Sequence, residues 1–245
     1  MLEKFSVKNW TTLSTTRDPA ARELFVAFLD GKIPSADIAL LKDGRTGKVF
    51  KIAFRGKFYV LKHDARRRHR FEYLVSSFFY GSNAFRLLRR LDATRERGFD
   101  APVEIFLVAD RRGAFGRCVL ESYYLEEFLE NVRALKDVPD GIETHAASVA
   151  KIVTELHANG LVHGDVNAEN FVLANARGKA VGGGYGDEIR VIDLTGKSPT
   201  PLHRASDRYW LEKIFGVKNP APNFADFFFA ATERFKAFSR KIRGK

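Results

Sequence analysis

The chain has 245 residues, 45% of them hydrophobic, which is enough for a globular core but short for two large domains. Its 41 basic and 30 acidic residues leave a net charge of +11, which calls for an anionic partner: nucleic acid, an acidic membrane surface or a phosphorylated substrate. A single cysteine, Cys118, excludes an internal disulfide and fits a reducing compartment, and no apolar run approaches the roughly 20 residues of a membrane-spanning helix.

Met1 to Thr16 has no long apolar run after its first lysine and is not read as a secretory signal. Asp18-Pro19 is a helix start, with an acid at the N-cap and proline at the first helical position. Leu24, Phe25, Phe28 and Leu29 follow at helical spacing and Gly31 ends the run, so residues 1–31 are read as an N-terminal helical extension.

The pattern then changes to period two. Ile38–Lys42, Val49–Phe54 and Lys57–Lys62 read as three antiparallel strands, with Gly44, Gly47 and Gly56 in the turns. Arg66-Arg67-Arg68-His69-Arg70 leads into an aromatic helix through Phe71, Tyr73, Phe78 and Phe79. Ser82 is the N-cap of a further helix that turns Phe85, Leu88 and Leu91 inward and sets Arg86, Arg90 and Arg97 on another side. These two basic clusters read either as a solvated face or as a surface for an anion. Strands follow at Val103–Ala109 and Cys118–Leu125.

Glu143 to Asn159 is an amphipathic helix with Val149, Ile152, Val153 and Leu156 on one stripe and Gly160 as its cap. Phe171-Val172-Leu173 and Ile189–Leu194 read as a hairpin. Gly182, Gly183, Gly184 and Gly186 lie in its long turn; no helix or Lys-Ser/Thr follows them, so they are not a phosphate loop. Near the end, Phe224, Phe228, Ala231, Phe235, Phe238 and Ile242 share a helical stripe, with arginines and lysines around its last turns. That helix reads either as packing with a solvated tail or as contact with anionic lipid.

Two stretches carry chemistry. His163-Gly164-Asp165-Val166-Asn167-Ala168-Glu169-Asn170 has the form H-G-D-x-x-x-x-N, the shape of a kinase catalytic loop, and Ile192-Asp193-Leu194 is a short strand ending in an acid. Phosphoryl transfer needs charge neutralised on the moving phosphate and a hydroxyl held in line with it. Mg2+ prefers oxygen ligands and binds through one or two carboxylates plus phosphates. Asp193 is the candidate carboxylate and Asn170 the neutral oxygen ligand beside it. Asp165 would orient the acceptor hydroxyl, and His163 would buttress the loop rather than exchange protons. Lys62, at the end of Tyr59-Val60-Leu61-Lys62, is placed to reach the α- and β-phosphates of ATP. Gly44 and Gly47 fall where a glycine-rich loop would cover the phosphates, or form a plain hairpin turn. Glu121 to Tyr124 would be the crossing between lobes, where backbone groups meet adenine. These readings give an α+β, protein-kinase-like bilobal fold: a small antiparallel-sheet lobe over residues 32–122 and a mainly helical lobe over residues 123–245.

Leu161–Leu173, Ile189–Lys197 and Ala205–Asn219 together resemble the lipopolysaccharide core heptose kinases, in particular the heptose(II) kinase branch. The most branch-specific segments are Asp193-Leu194-Thr195-Gly196-Lys197, Asp207-Arg208 followed by Leu211-Glu212, and Gly216-Val217-Lys218-Asn219. The resemblance implies ATP- and Mg2+-dependent phosphorylation of an inner-core heptose. It implies a cytoplasmic enzyme, peripheral at the anionic inner membrane of a Gram-negative bacterium, whose partner is the lipopolysaccharide core on lipid A and not nucleic acid. It also implies Asp165 as the catalytic acid, Asn170 and Asp193 as metal ligands, and Lys62 as the nucleotide lysine. Kinases usually pair that lysine with a helix glutamate. The register puts the glutamate near Ala84 or Phe85, neither of them acidic: either the helix register is shifted, or Glu72 on the preceding helix serves, or Lys62 is unpaired and activity is reduced. Two alternatives stay open: the same fold acting on an acidic core sugar, an aminoglycoside or a protein, and a non-catalytic kinase-like module at the membrane. The sequence carries no signal for an oligomeric state.

Overall fold

The computed structural model describes residues 1–44, 47–65, 77–79, 82–113, 116, 118–175 and 187–242. The chain divides into two compact units, Met1–Glu130 and Asn131–Lys245.

The first unit is built on an antiparallel sheet. Its strands are β1 (Leu2–Val7), β2 (Trp10–Thr15), β3 (Ile38–Gly44), β4 (Gly47–Phe54), β5 (Lys57–Asp64), β6 (Ile105–Arg112) and β7 (Val119–Glu127), in the order β1-β2-β6-β7-β5-β4-β3. The three strands expected between Ile38 and Lys62 are present, each running a little further than the sequence suggested. Residues 1–31 are not purely helical: β1 and β2 form a hairpin that extends the sheet beyond β6, ahead of helix α1 (Pro19–Leu29). Its turn is made at Lys8, with φ 51, rather than at a glycine or asparagine-glycine pair, so the usual hairpin signal is missing.

Asp18 caps α1 as expected, its carboxylate accepting from Ala20 N at 3.0 Å. The same carboxylate accepts from the Tyr59 hydroxyl at 3.0 Å, which ties the start of the helix to β5. Leu24 and Phe25 then bury against Trp10, Ile52, Leu61, Leu107 and Leu125. Trp10 meets Phe25 edge-on at 6.4 Å between ring centroids. Helix α2 (Asn83–Glu96) starts at the predicted Ser82 cap, whose hydroxyl accepts from Phe85 N at 3.1 Å. The unit extends to Glu130 rather than ending at residue 122, because β7 stays paired with β5 and β6 up to Glu126 and Glu127.

The second unit holds helix α3 (Gly141–Ala158), a small sheet in the order β10-β9-β8 (Asp187–Val191, Phe171–Asn175, Arg133–Ala134), and helices α4 (Pro201–Phe215) and α5 (Phe224–Ile242). Val149 and Val153 of α3 bury against Phe171, Leu173, Val191, Leu211 and Phe215, as the helical stripe required. Thr200 caps α4, Pro201 opens it, and Gly216 ends it with φ 68, a left-handed conformation suited to glycine. In α5 the phenylalanine stripe is exposed, while Ala225, Asp226, Phe229 and Thr232 are half-buried. The glycines at 182–184 and 186 lie outside the described residues.

Candidate active site

The loop between α3 and β9 is held mainly through its backbone. After Gly160 at φ 71, Leu161 and Val162 are buried, and the chain turns at Gly164 with φ 77. Asp207, fully buried in α4, receives that turn. Its Oδ2 accepts from His163 N at 2.8 Å and its Oδ1 from Gly164 N at 2.8 Å. His157 of α3 also bonds Oδ2 through Nε2, at 3.0 Å. One carboxylate therefore satisfies the buried N–H of His163 and the half-buried N–H of Gly164.

The segment after β10 straps the other side. The backbone N–H and hydroxyl of Thr195 both donate to the His163 carbonyl, at 3.2 and 3.0 Å. A Cβ on Gly164 would sit 2.3 Å from that hydroxyl, so the residue must be glycine both for its φ and for this approach. Lys197 Nζ donates to the Gly164 carbonyl at 3.3 Å. Ile192 N donates to the Asn170 carbonyl at 3.0 Å, which places Asp193 one residue from the end of the catalytic-loop motif.

Three of the predicted residues are thus brought into one hydrogen-bonded assembly. Asn170 is buried, and its Nδ2 donates to the Asp165 carbonyl at 2.9 Å and to the Asp165 carboxylate at 3.4 Å. That use of the amide nitrogen leaves Oδ1 as the atom suited to ligation. Asp165 and Asp193 are exposed, in contrast with Asp207. Asp193 has φ 57, a left-handed conformation that aspartate and asparagine adopt more readily than other residues with a side chain.

His163 is completely buried, its ring 5.3 Å from that of Phe171. Both ring nitrogens lack a hydrogen-bond partner among the described residues. Burial pushes its pKa below the ordinary 6.5, against the pull of Asp207, Asp165 and Asp193. The unfolded chain therefore binds a proton that the folded chain refuses. Stability from this site is present above pH 6.5 and is lost as pH falls from there toward the folded-state pKa. Urea unfolding of wild type and His163→Phe from pH 8 to pH 5 should show the wild type losing stability more steeply; parallel curves would contradict this.

In the first unit, Lys62 lies opposite Tyr124 in the β5–β7 pairing, and its Nζ is 2.7 Å from Glu126 Oε2. Glu126 is buried two residues further along β7, on the same face of the sheet. Sequence reasoning missed it, although an acid after Tyr123-Tyr124-Leu125 in an inward-facing strand was a usable signal. Glu72 lies outside the described residues. Gly44 and Gly47 face each other across the tip of the β3–β4 hairpin. A Cβ on Gly47 would come 1.9 Å from the His63 carbonyl, so this glycine is required by strand packing.

Glu121 is not at a crossing. Glu121 to Tyr124 lie inside β7, with their backbone committed to pairing with β5 and β6. The Glu121 side chain is held by His63 at 2.7 Å and by Arg111. Burial opposes its charge, but these two bonds outweigh that and keep its carboxyl below the usual range. It cross-links neighbouring strands.

Comparison with known proteins gives this arrangement a context. The chain is 26% identical over 186 residues to the lipopolysaccharide core heptose(II) kinase WaaY of Escherichia coli strain K12, covering 76% of this chain and 74% of that protein. A second Escherichia coli protein of the same description is 28% identical over 187 residues, covering 76% and 75%. The Rio2 kinase of Chaetomium thermophilum, solved with ADP, Mg2+ and phosphoaspartate, superposes with a TM-score of 0.52 at 15% identity, covering 94% of this chain and 71% of that one, and shares its protein-kinase-like fold. The family described as lipopolysaccharide core biosynthesis protein (WaaY) matches residues 1–245 in full, and the chain belongs to that family.

Proposed function

We propose that the protein transfers the γ-phosphoryl group of ATP to a hydroxyl of a heptose in the inner core of lipopolysaccharide. The observation that carries this reading is the joining of Asp165, Asn170 and the strand leading to Asp193 by hydrogen bonds, with both carboxylates exposed. Family membership supplies the substrate class.

Asn170 and Asp193 offer an amide oxygen and a carboxylate, a hard donor pair suited to an ion that keeps water and phosphate oxygens as its other ligands. Among the described residues there is no group of three or more His, Cys, Asp or Glu that would form a cage for a softer metal. Mg2+ bound there would neutralise charge on the phosphate oxygens of the transferring group. Asp165 accepts a hydrogen bond from the acceptor hydroxyl and aims its oxygen at the phosphorus. The backbone bonds of Asp207 and Thr195 keep that carboxylate from turning away. Lys62 gives its charge to the α- and β-phosphates, and Glu126 holds the ammonium in place.

Lys62→Met should raise KM for ATP by about 10- to 100-fold, the worth of a charge-assisted hydrogen bond. Glu126→Gln, which keeps the shape and removes the charge, should give a smaller rise in the same direction. Unchanged KM values in both would remove Lys62 from the nucleotide site.

The acceptor is built on lipid A, so the enzyme works at the cytoplasmic face of an anionic inner membrane, to which a net charge of +11 is attracted. No described helix is long and apolar enough to cross that membrane. Mass spectrometry of core oligosaccharide from cells with and without the gene tests the substrate. Loss of one phosphate from a heptose is the expected result, and an unchanged phosphate pattern would contradict it.

A further inference from the structure

Helix α5 turns its most apolar face away from the protein. Phe224, Phe227, Phe235 and Phe238 are 82%, 64%, 71% and 61% exposed, and Phe228 is 49% exposed. With Ala231 these residues recur at helical spacing and form one stripe about four turns long. The opposite side is the one anchored. Asp226 accepts from Arg208 Nε of α4 at 2.7 Å and from Asn219 at 3.2 Å, and Phe229 meets Tyr209 of α4 at 5.6 Å. The helix is therefore held by its more polar side, the reverse of a packing helix.

Charge accompanies the stripe. Arg234 and Lys241, seven residues apart and both exposed, run along one edge of the stripe, while Lys236 and Arg240, also exposed, fall by helical spacing on the side of Phe229. The acids of the helix, Asp226 and Glu233, are less exposed and already bonded, Asp226 to Arg208 and Glu233 to Lys236 at 2.6 Å. The outward surface thus combines aromatic rings with positive charge.

We infer that α5 docks the protein on an anionic phospholipid surface, lying in the interface with its phenylalanines among the acyl chains and its lysines and arginines among the headgroups. A second copy of the chain is a poorer occupant. A two-fold contact along the stripe would bring basic edges together, and phenylalanine with alanine supplies none of the leucine or isoleucine knobs of a helix pair. Lipid meets both features at once: burial of aromatic area and attraction of cations to anionic headgroups. The inference draws on the proposed function only for the lipid-linked acceptor. It places membrane contact on one named helix, outside the catalytic loop.

Co-sedimentation of the full chain with vesicles tests it, using phosphatidylglycerol in phosphatidylcholine against phosphatidylcholine alone, at low and high salt. The wild type should bind the anionic vesicles and release from them as salt rises. A triple variant, Phe224→Ser with Phe235→Ser and Phe238→Ser, should lower partitioning by roughly tenfold or more. Arg234→Glu with Lys241→Glu should lower it by at least about fivefold for each basic residue removed. Because the charge pair keeps every phenylalanine, it keeps the test open if the triple variant folds poorly. Both variants should phosphorylate a soluble, delipidated core at the wild-type rate. Binding to anionic vesicles that both variants retain would overturn the inference, as would no binding at all, or a wild-type dimer that the triple variant abolishes. The vesicle assay involves no phosphoryl transfer, so a wild type that turns over but does not bind vesicles rejects only the role of α5, and a wild type that binds but does not turn over rejects only the kinase reading.

Discussion

Asp165→Asn is expected to lower the rate of phosphoryl transfer by about 10²- to 10⁴-fold, the usual worth of a positioned general base. The loop should keep its shape. Its backbone is held by Asp207 and Thr195 rather than by the Asp165 carboxylate, and the bond from Asn170 to the Asp165 carbonyl does not involve the substituted group. The loss should therefore fall on kcat, with KM for ATP and the melting temperature close to wild type. Asp193→Asn is the informative companion. Asparagine also tolerates the left-handed conformation seen at φ 57, so the fold should survive while the charged metal ligand is lost. Its defect should be partly relieved by raising Mg2+, whereas that of Asp165→Asn should not. Steady-state kinetics over a range of Mg2+ concentrations separates the two roles, and equal rescue of both variants would contradict the assignment.

Asp207→Ala should unfold more than it inactivates. Removing this carboxylate strands the buried N–H of His163 and the half-buried N–H of Gly164 and takes away the partner of His157. The orphaned His163 donor alone costs about 1–3 kcal/mol, and the Gly164 donor, which water can reach, adds less. That is a large fraction of the stability of an ordinary domain. Asp207→Asn keeps one acceptor oxygen and should cost about half as much. Denaturant unfolding of the three proteins should rank them wild type, Asn, Ala, with kcat falling in the same order as the loop loosens. If the alanine variant unfolded at the wild-type midpoint, the Asp207 bonds would not be holding the loop.

Much of the fold was legible because its signals were local. Asp18 before Pro19 and Ser82 before Asn83 announced helix starts, and the glycine turns between Ile38 and Lys62 announced a meander. The candidate loop was legible for the same reason: one short run carries Asp165 and Asn170, which the structure joins by a hydrogen bond. What escaped depends on distant pairings. The β1–β2 hairpin turns at Lys8 without a glycine, and its place in the sheet is set by β6, some 95 residues on. The end of β7 was misplaced because the continuation of pairing past Leu125 is decided by β5 and β6. Asp207 stood in plain view, at i and i+4 spacing with the buried Leu211 and Phe215, a charge on an apolar stripe. That pattern marks a buried carboxylate with partners to satisfy, but the partners lie more than 40 residues earlier. In α5 the periodicity found the stripe correctly, yet periodicity does not say which side faces the protein.

The most direct test of the central claim uses purified protein, ATP labelled in its γ-phosphate, Mg2+, and lipopolysaccharide core lacking heptose phosphate, with the products located by mass spectrometry. The account predicts label on a heptose hydroxyl with wild-type protein and initial labelling slower by about a hundredfold or more with Asp165→Asn at equal concentration. Label that appears equally with both proteins, or on no heptose at all, would contradict it.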